Sequence, residues 1–532
     1  MATASSLIPT APDIDLQQAR ARGVYYTPLA AAAEMARWTI RGDVSSVLEP
    51  SVGDGVFAAA LREVSEPRAG QQLQVTGVEH SRSALGRVVS LGLIDESNAI
   101  RSDFLAVKPF PVDAVLGNPP YVRLRNLATA EARRALRVSA SALGEEMDPS
   151  GSIWMPFVLH ATQFLRPGGR LAFVLPFDLT YVRYARPLWK FLGDNYSSLR
   201  VARSRERLFP EILQETVILF ADGRGGSTSE VTFETYETGD QFDSGTPSHS
   251  TDLPLSGIVE GERLFATALL PQPARQLLES ITPNLVPLSS VADIRIGYVS
   301  GDKSFFHPSG ESIHDFSLPA RHLRPALVSS RQMTGKGLLS SECFPQSLYL
   351  PKPSTLTAGD RKYLAHGEHT GVADRYKCRI RDPWYVVPGL RIPDIVFPVF
   401  TEKPLMMIND ARAYASNSLI CGYLDDCHPE ALARSWFTSL TRLQMELNVH
   451  SLGGGVFVLV PNEVSAIQIV PPRRNRRQFG RIQKALSAGD FESALEIGDS
   501  AQLAPALGLQ SCDLETIRNA CAVLSSWRKA GQ

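Results

Sequence analysis

The stretch Asn118-Pro119-Pro120-Tyr121 sets an amide, two rigid rings and an aromatic side chain directly after the run Val112-Asp113-Ala114-Val115-Leu116-Gly117. That run reads as a buried parallel strand. The tetrapeptide therefore falls at a strand's carboxyl end, where open α/β sheets bind ligands. Proline fixes φ and removes a backbone donor, so the carbonyls of this turn are held stiffly and remain able to accept hydrogen bonds. An amide oxygen, a rigid carbonyl and an aromatic ring in that order suit a planar group bearing an NH2. Gripping and stacking such a group is what methylation of a base amine requires.

A second set of residues points to a nucleoside-bearing ligand. Residues 47–57 read as a strand, a Gly53-Asp54-Gly55 turn and a helix start, with Glu49-Pro50 just before the turn. Glycine lets a backbone turn sharply and approach a ligand closely. Phosphate loops and plain tight turns share a GxG, and the dinucleotide pattern GxGxxG is absent. Glu79 ends the next strand, where an acidic side chain accepts hydrogen bonds from ribose hydroxyls in dinucleotide sites. Ser102-Asp103-Phe104 ends a third strand, with Asp103 suited to an adenine amine and Phe104 to a purine face. Upstream, Thr27 reads as an N-cap and Pro28 as the first helical residue of a helix over 29–40. That helix start serves as a simple cap or as a seat for a cofactor carboxylate. An isolated acid at a strand end is ordinarily just solvated. The order of all these features, with the Asn118 strand next, carries the reading.

To position these groups the chain must alternate strand and helix. Strands are expected over 46–49, 73–79, 112–117, 170–175, 215–221 and 230–236, and helices over 55–63, 81–91 and 153–165. Pro167-Gly168-Gly169 reads as a turn. Such alternation predicts a doubly wound parallel α/β sheet over 22–238, after a tail over 1–21. Residues 239–254 turn polar and rich in Ser, Thr, Gly and Pro, and read as a linker. Short strands over 292–299, 346–350, 384–387 and 456–460, broken by prolines, predict a mostly-β or α+β module over 255–474. A helical segment follows over 475–532.

Bulk properties narrow the class. The chain has 532 residues, 44% hydrophobic and 20% charged, an ordinary globular composition with room for several domains. A net charge of −1 excludes a global basic field, so nucleic-acid contacts must come from local clusters. No apolar run approaches the roughly 20 residues that span a bilayer, and the first residues lack the layout of a secretory signal. No membrane association and a cytoplasmic location are expected. Six cysteines (Cys343, Cys378, Cys421, Cys427, Cys512, Cys521) form no CxxC pair, which argues for reduced thiols and no structural metal.

The motifs and their order resemble the γ-group of DNA adenine-N6 methyltransferases, which use S-adenosylmethionine (AdoMet). Tyr25-Tyr26-Thr27-Pro28 is followed by the Glu49 to Gly55 turn, Glu79, Asp103-Phe104, Asn118 to Tyr121, and a strand ending Phe173-Val174-Leu175-Pro176. The resemblance covers residues 22–221 well. It continues weakly through Gly297-Tyr298-Val299-Ser300-Gly301, Ser416-Asn417 and Leu452-Gly453-Gly454-Gly455. It implies that Thr27, Glu49, Pro50, Gly53, Gly55, Glu79, Asp103, Phe104 and Asn118 surround AdoMet, with no metal. Asn118 and Pro119 accept from the adenine amine, Pro120 completes the rigid turn, and Tyr121 stacks on a base flipped from the duplex. Phe209, within Arg207-Leu208-Phe209-Pro210, is the implied second stacking face. The substrate implied is double-stranded DNA, read by a C-terminal target recognition domain of a monomer. With no nuclease carboxylate cluster, cleavage or defence falls to a separately encoded partner.

Three basic clusters offer DNA contacts: Arg200, Arg203, Arg205 and Arg207; Arg375, Lys377, Arg379 and Arg381 before Trp384-Tyr385; and Arg473, Arg474, Arg476, Arg477 and Arg481. The second lies inside the expected recognition domain and is the preferred one. The same tetrapeptide also occurs in enzymes that methylate protein glutamine amides or RNA guanine amines. That is the rival activity. A non-catalytic DNA-binding specificity subunit is the other alternative.

Overall fold

A computed structural model describes residues 28–65, 73–208, 215–333, 338–343, 345–452, 455–473 and 478–530. These divide into a unit running to Ala268 and a second unit, Leu269–Arg528.

The first unit is built on a nine-stranded sheet: β1 (Ser46–Glu49), β2 (Gln74–Glu79), β3 (Ala99–Arg101), β4 (Val112–Gly117), β5 (Leu165–Pro176), β6 (Tyr196–Ser204), β7 (Thr216–Arg224), β8 (Glu230–Tyr236) and β9 (His249–Pro254). Their spatial order is β3-β2-β1-β4-β5-β7-β6-β8-β9. Strands β3 to β5 of that order run parallel, while β7 enters antiparallel between β5 and β6. Strand order reverses between β1 and β4, which makes their carboxyl ends the switch point of the sheet. Strands β1 and β4 are nearly continuously buried, as a sheet covered on both faces requires. On one face, α1 (Leu29–Thr39) presents Ala31, Ala32, Met35 and Ala36 to a core shared with α2 (Val56–Val64). Helix α3 (Arg82–Ser90) follows β2 and α4 (Thr129–Leu143) follows β4. Helix α5 (Trp154–Thr162) is buried at every position, the mark of a helix apolar all round.

The structure departs from the sequence-based expectations in several places. Residues 239–254 are not a linker. They form α6 (Gly239–Asp243), with Phe242 buried, and the edge strand β9, which pairs with β8 at Val231↔Leu253. The polar composition reflects an edge strand with one wet face. The unit continues to Phe265, whose ring meets Trp189 and Phe233 at 5.6 and 5.2 Å. Pro167-Gly168-Gly169 lies inside β5, where Gly168 has φ 78° and the pairing with β4 slips between Val112 and Ala114, as at a β-bulge. The first basic cluster lies on and just after β6, and three of its four cations are ion-paired. Arg200 meets Glu234 at 2.7 Å, Arg203 meets Glu215 at 2.7 Å and Arg205 meets Glu237 at 2.8 Å. These cations serve the sheet and its neighbouring carboxylates.

The second unit is α+β. It contains sheets of four, three, three and two strands. The four-stranded sheet joins Ala292–Ile296, Leu419–Leu424, Ile395–Pro398 and Met407–Ile408. Its core gathers Phe397, Leu432, Trp436, Phe437 and Met445 together with Ile482, Phe491 and Leu495. The helices after 475 are thus integral to this core, not a separate segment. Arg528, at the end of the helix Ser511–Arg528, pairs with buried Glu446 at 2.8 Å. Residues 384–387 form no strand. Pro383 and Pro388 flank a turn that sets Trp384 against Phe305 at 5.3 Å. Among the described residues no helix is long and apolar enough to cross a membrane.

Candidate active site

The carboxyl ends of β1 and β4 meet across the switch point. Ser51, in the turn after β1, donates its hydroxyl to the Asn118 carbonyl at 2.9 Å. A Cβ on Gly117 would lie 3.2 Å from the Pro50 ring and 3.4 Å from Phe173, so the two turns sit in close contact. The β1 turn needs its glycines. Gly53 and Gly55 have φ of 56° and 85°, a region closed to most L-residues. A Cβ on Gly55 would come within 2.8 Å of Val88, whereas Gly53 has nothing within 4 Å and presents open backbone. Glu79 closes this turn from β2. It accepts from the Gly53 amide at 3.0 Å and the Ser81 amide at 2.7 Å. Each carboxylate oxygen keeps a further lone pair for a ligand hydroxyl.

Glu49 is the electrostatic oddity of the site. It is fully buried, and neither of its oxygens meets a donor at hydrogen-bonding geometry. Burial pushes its pKa well above the usual carboxylate range, the charges of Asp54 and Glu79 push further, and the Ala58 amide opposes them. Burial also raises Asp54, against the Val56 amide. An orphaned acid facing two more acids suits a ligand that brings positive charge.

At the acceptor end, Pro119 is buried while Asn118 and Tyr121 are half-buried. Tyr121 packs on the core shared by α1, β1 and β4. The chain after it is pinned by Val122, whose carbonyl accepts from the Ile153 amide and the Ser152 hydroxyl, both at 2.9 Å. Strand β5 brings Phe177 and Tyr181 to the same sheet edge. The Arg203 guanidinium lies 3.9 Å from the centre of the Phe177 ring. Phe177 and Ser51 are not among the residues expected from sequence, because pairing across a sheet leaves no local signal.

At β3 one expectation changes, that for Phe104. Asp103 caps a short turn through the Leu105 amide at 3.0 Å and pairs with Arg134 from α4. Phe104 is 2% exposed. Its ring packs among Phe157, His160 and Phe164 with centroids at 5.1, 4.9 and 5.4 Å. It is a core residue and has no face for a purine, because the 3-10 turn after β3 directs it inward. Thr27 and Phe209 lie outside the described residues. Pro28 takes the N-cap of α1, one residue later than the expected cap at position 27, with ψ 142°.

In the second unit the preferred basic cluster splits. Arg375 pairs with buried Asp302, and Arg381 donates to the carbonyls of Val299 and Ser300, each at 2.7 Å. Lys377 and Arg379 point to solvent.

Both units are similar in sequence to known proteins. A model of the Eco57I restriction-modification methylase family matches residues 93–208, and a model of the C-terminal domain of the type II methyltransferase M.Eco57I matches residues 262–503. The type II methyltransferase M.AccI of Acinetobacter calcoaceticus is 20% identical over 475 residues, which cover 85% of this chain and 86% of M.AccI. M.HincII of Haemophilus influenzae is 24% identical over 243 residues, 43% of this chain and 42% of its own length. Among solved structures, the type IIL restriction-modification enzyme MmeI in complex with DNA aligns over 94% of this chain and 74% of its own, with a TM-score of 0.52 at 12% identity. That likeness concerns the fold.

Proposed function

We propose that this chain, an Eco57I-family type II DNA methyltransferase of restriction-modification systems, transfers the methyl group of AdoMet to the exocyclic amine of adenine in duplex DNA. The observation that carries the proposal is the Ser51–Asn118 hydrogen bond. It ties a glycine turn bounded by buried Glu49 and half-buried Glu79 to the turn that bears an amide, a rigid carbonyl and a tyrosine.

The residues fit AdoMet, which when bound supplies an electrophilic sulfonium methyl group. Orphaned Glu49 would receive its ammonium, Glu79 its ribose hydroxyls and Asp103 its adenine amine, while Gly53 leaves the backbone open beside them. Phe104 does not belong to this set, and Thr27 is proposed to belong to it. On the acceptor side, the Asn118 amide oxygen and the Pro119 carbonyl accept from the two N–H groups of the target amine. That favours a pyramidal nitrogen whose lone pair is no longer delocalised into the ring. The same oxygens would stabilise the positive charge on the nitrogen as its bond to the methyl carbon replaces the sulfur–carbon bond, until the extra proton leaves to solvent. Positioning and electrostatics carry the rate. Tyr121 stacks on the extruded base, with Phe209 as the proposed opposite face. The chain acts as a monomer, and a separately encoded restriction or defence component completes the system.

Asn118→Ala tests the assignment. Removing one positioned transition-state acceptor should lower kcat by about 10²–10³-fold, while calorimetry still detects AdoMet binding. A variant with full activity would overturn the catalytic assignment.

A further inference from the structure

Five large apolar side chains stand mostly exposed among the described residues, and two of them, Tyr376 at 64% and Ile380 at 60%, share one helical turn. Single exposed apolar residues need no explanation, but a pair at i and i+4 on one face does. The turn that carries them is held on three sides. Arg375 pairs with buried Asp302, Arg381 donates to the Val299 and Ser300 carbonyls, and the buried Cys378 sulfur lies where a Cβ on Gly301 would come within 2.6 Å. Anchoring consumes the first and last cations of the cluster. Lys377 and Arg379 stand exposed beside the apolar pair, with the Lys377 ammonium 5.4 Å from the Tyr376 ring centre. Asp374 and Asp382 flank the turn, and with Asp302 counted, four cations against three acids leave it positive by one charge. A rigid apolar projection rimmed by cations has the chemistry of a groove-entering wedge: cations meet phosphates while the apolar tip contacts or unstacks base edges.

We propose that Tyr376 and Ile380 enter a groove of duplex DNA as an apolar wedge, seated by phosphate contacts from Lys377 and Arg379. This rests on the reading of the chain as a methyltransferase of duplex DNA. The ion-paired Arg375 and the carbonyl-bound Arg381 position the wedge and do not contact phosphate.

The test is anisotropy of labelled fragments of genomic duplex DNA with the full chain, across a salt series. Lys377→Ala with Arg379→Ala should reduce the slope of log K against log salt by about 1.8, since each phosphate contact contributes ~0.9. Tyr376→Ala with Ile380→Ala should weaken binding about tenfold or more and leave the slope unchanged. Both positions are exposed, so circular dichroism should match the unaltered chain. If the apolar double variant keeps its DNA affinity, the wedge is overturned while the methyltransferase reading stands. The wedge is equally overturned if that variant loses only its binding to a protein partner. If the unaltered chain binds no duplex at any salt, the wedge falls together with the reading beneath it.

Discussion

Glu49→Gln should stabilise the first unit in the absence of cofactor, by an amount that grows with pH. Burial, with Asp54 and Glu79 nearby, holds the folded-state pKa of Glu49 well above the ordinary 4.5. The folded protein therefore keeps a proton that the unfolded chain has lost. Between 4.5 and the folded pKa, each pH unit costs the unaltered chain about 1.4 kcal/mol of stability. Below 4.5 that cost vanishes, and above the folded pKa it stops growing. Glutamine carries no such cost, although its buried amide adds a constant offset. Asp54 has its own raised pKa, and its contribution remains largely in both proteins. Equilibrium urea unfolding at a series of pH values gives the difference between the two. A difference that does not change with pH would refute the reasoning. Toward AdoMet the sign reverses. The ligand's ammonium should draw the proton off Glu49, so calorimetry in buffers of different ionisation enthalpy should report proton release. The variant should bind roughly tenfold more weakly or worse, as expected for losing a hydrogen bond to a charged group worth ~1.5–3 kcal/mol.

Gly55→Ala forces a side chain into a left-handed conformation and within 2.8 Å of Val88, and should cost about 1–2 kcal/mol from the backbone conformation alone, read as a lowered unfolding midpoint. Phe104→Ala should cost about 3–5 kcal/mol, as for other buried aromatics. At a temperature where the variant remains folded, it should bind AdoMet nearly as well as the unaltered chain. A selective loss of AdoMet affinity without loss of stability would return Phe104 to the cofactor site.

The parallel half was legible because its strands are short apolar runs ending in acids or the tetrapeptide, and its turns carry glycines. Glu49, Gly53, Glu79 and Asn118 could be placed at one sheet edge from order alone. What local pattern cannot carry is tertiary pairing. Arg200 and Arg203 looked like a nucleic-acid patch because the carboxylates that pair with them, Glu234 and Glu215, arrive from elsewhere in the sheet. Phe104 looked like a ligand-stacking residue because α5, which supplies Phe157 and His160 to surround it, lies some fifty residues onward. Residues 249–254 looked like a linker because an edge strand wet on one side is written in polar residues. In the second unit, the division of labour between anchoring Arg375 and Arg381 and solvent-facing Lys377 and Arg379 depends on Asp302 and on the carbonyls of Val299 and Ser300, all distant in sequence.

The most direct test of the central claim is the identity of the base that the Asn118 turn presents to the methyl donor. Duplex DNA incubated with the full chain and labelled AdoMet, then digested to nucleosides, should carry the label in N6-methyladenine, and should lose it with Asn118→Ala. Label recovered in a cytosine, in RNA or in a protein amide, with none in adenine, would contradict the account.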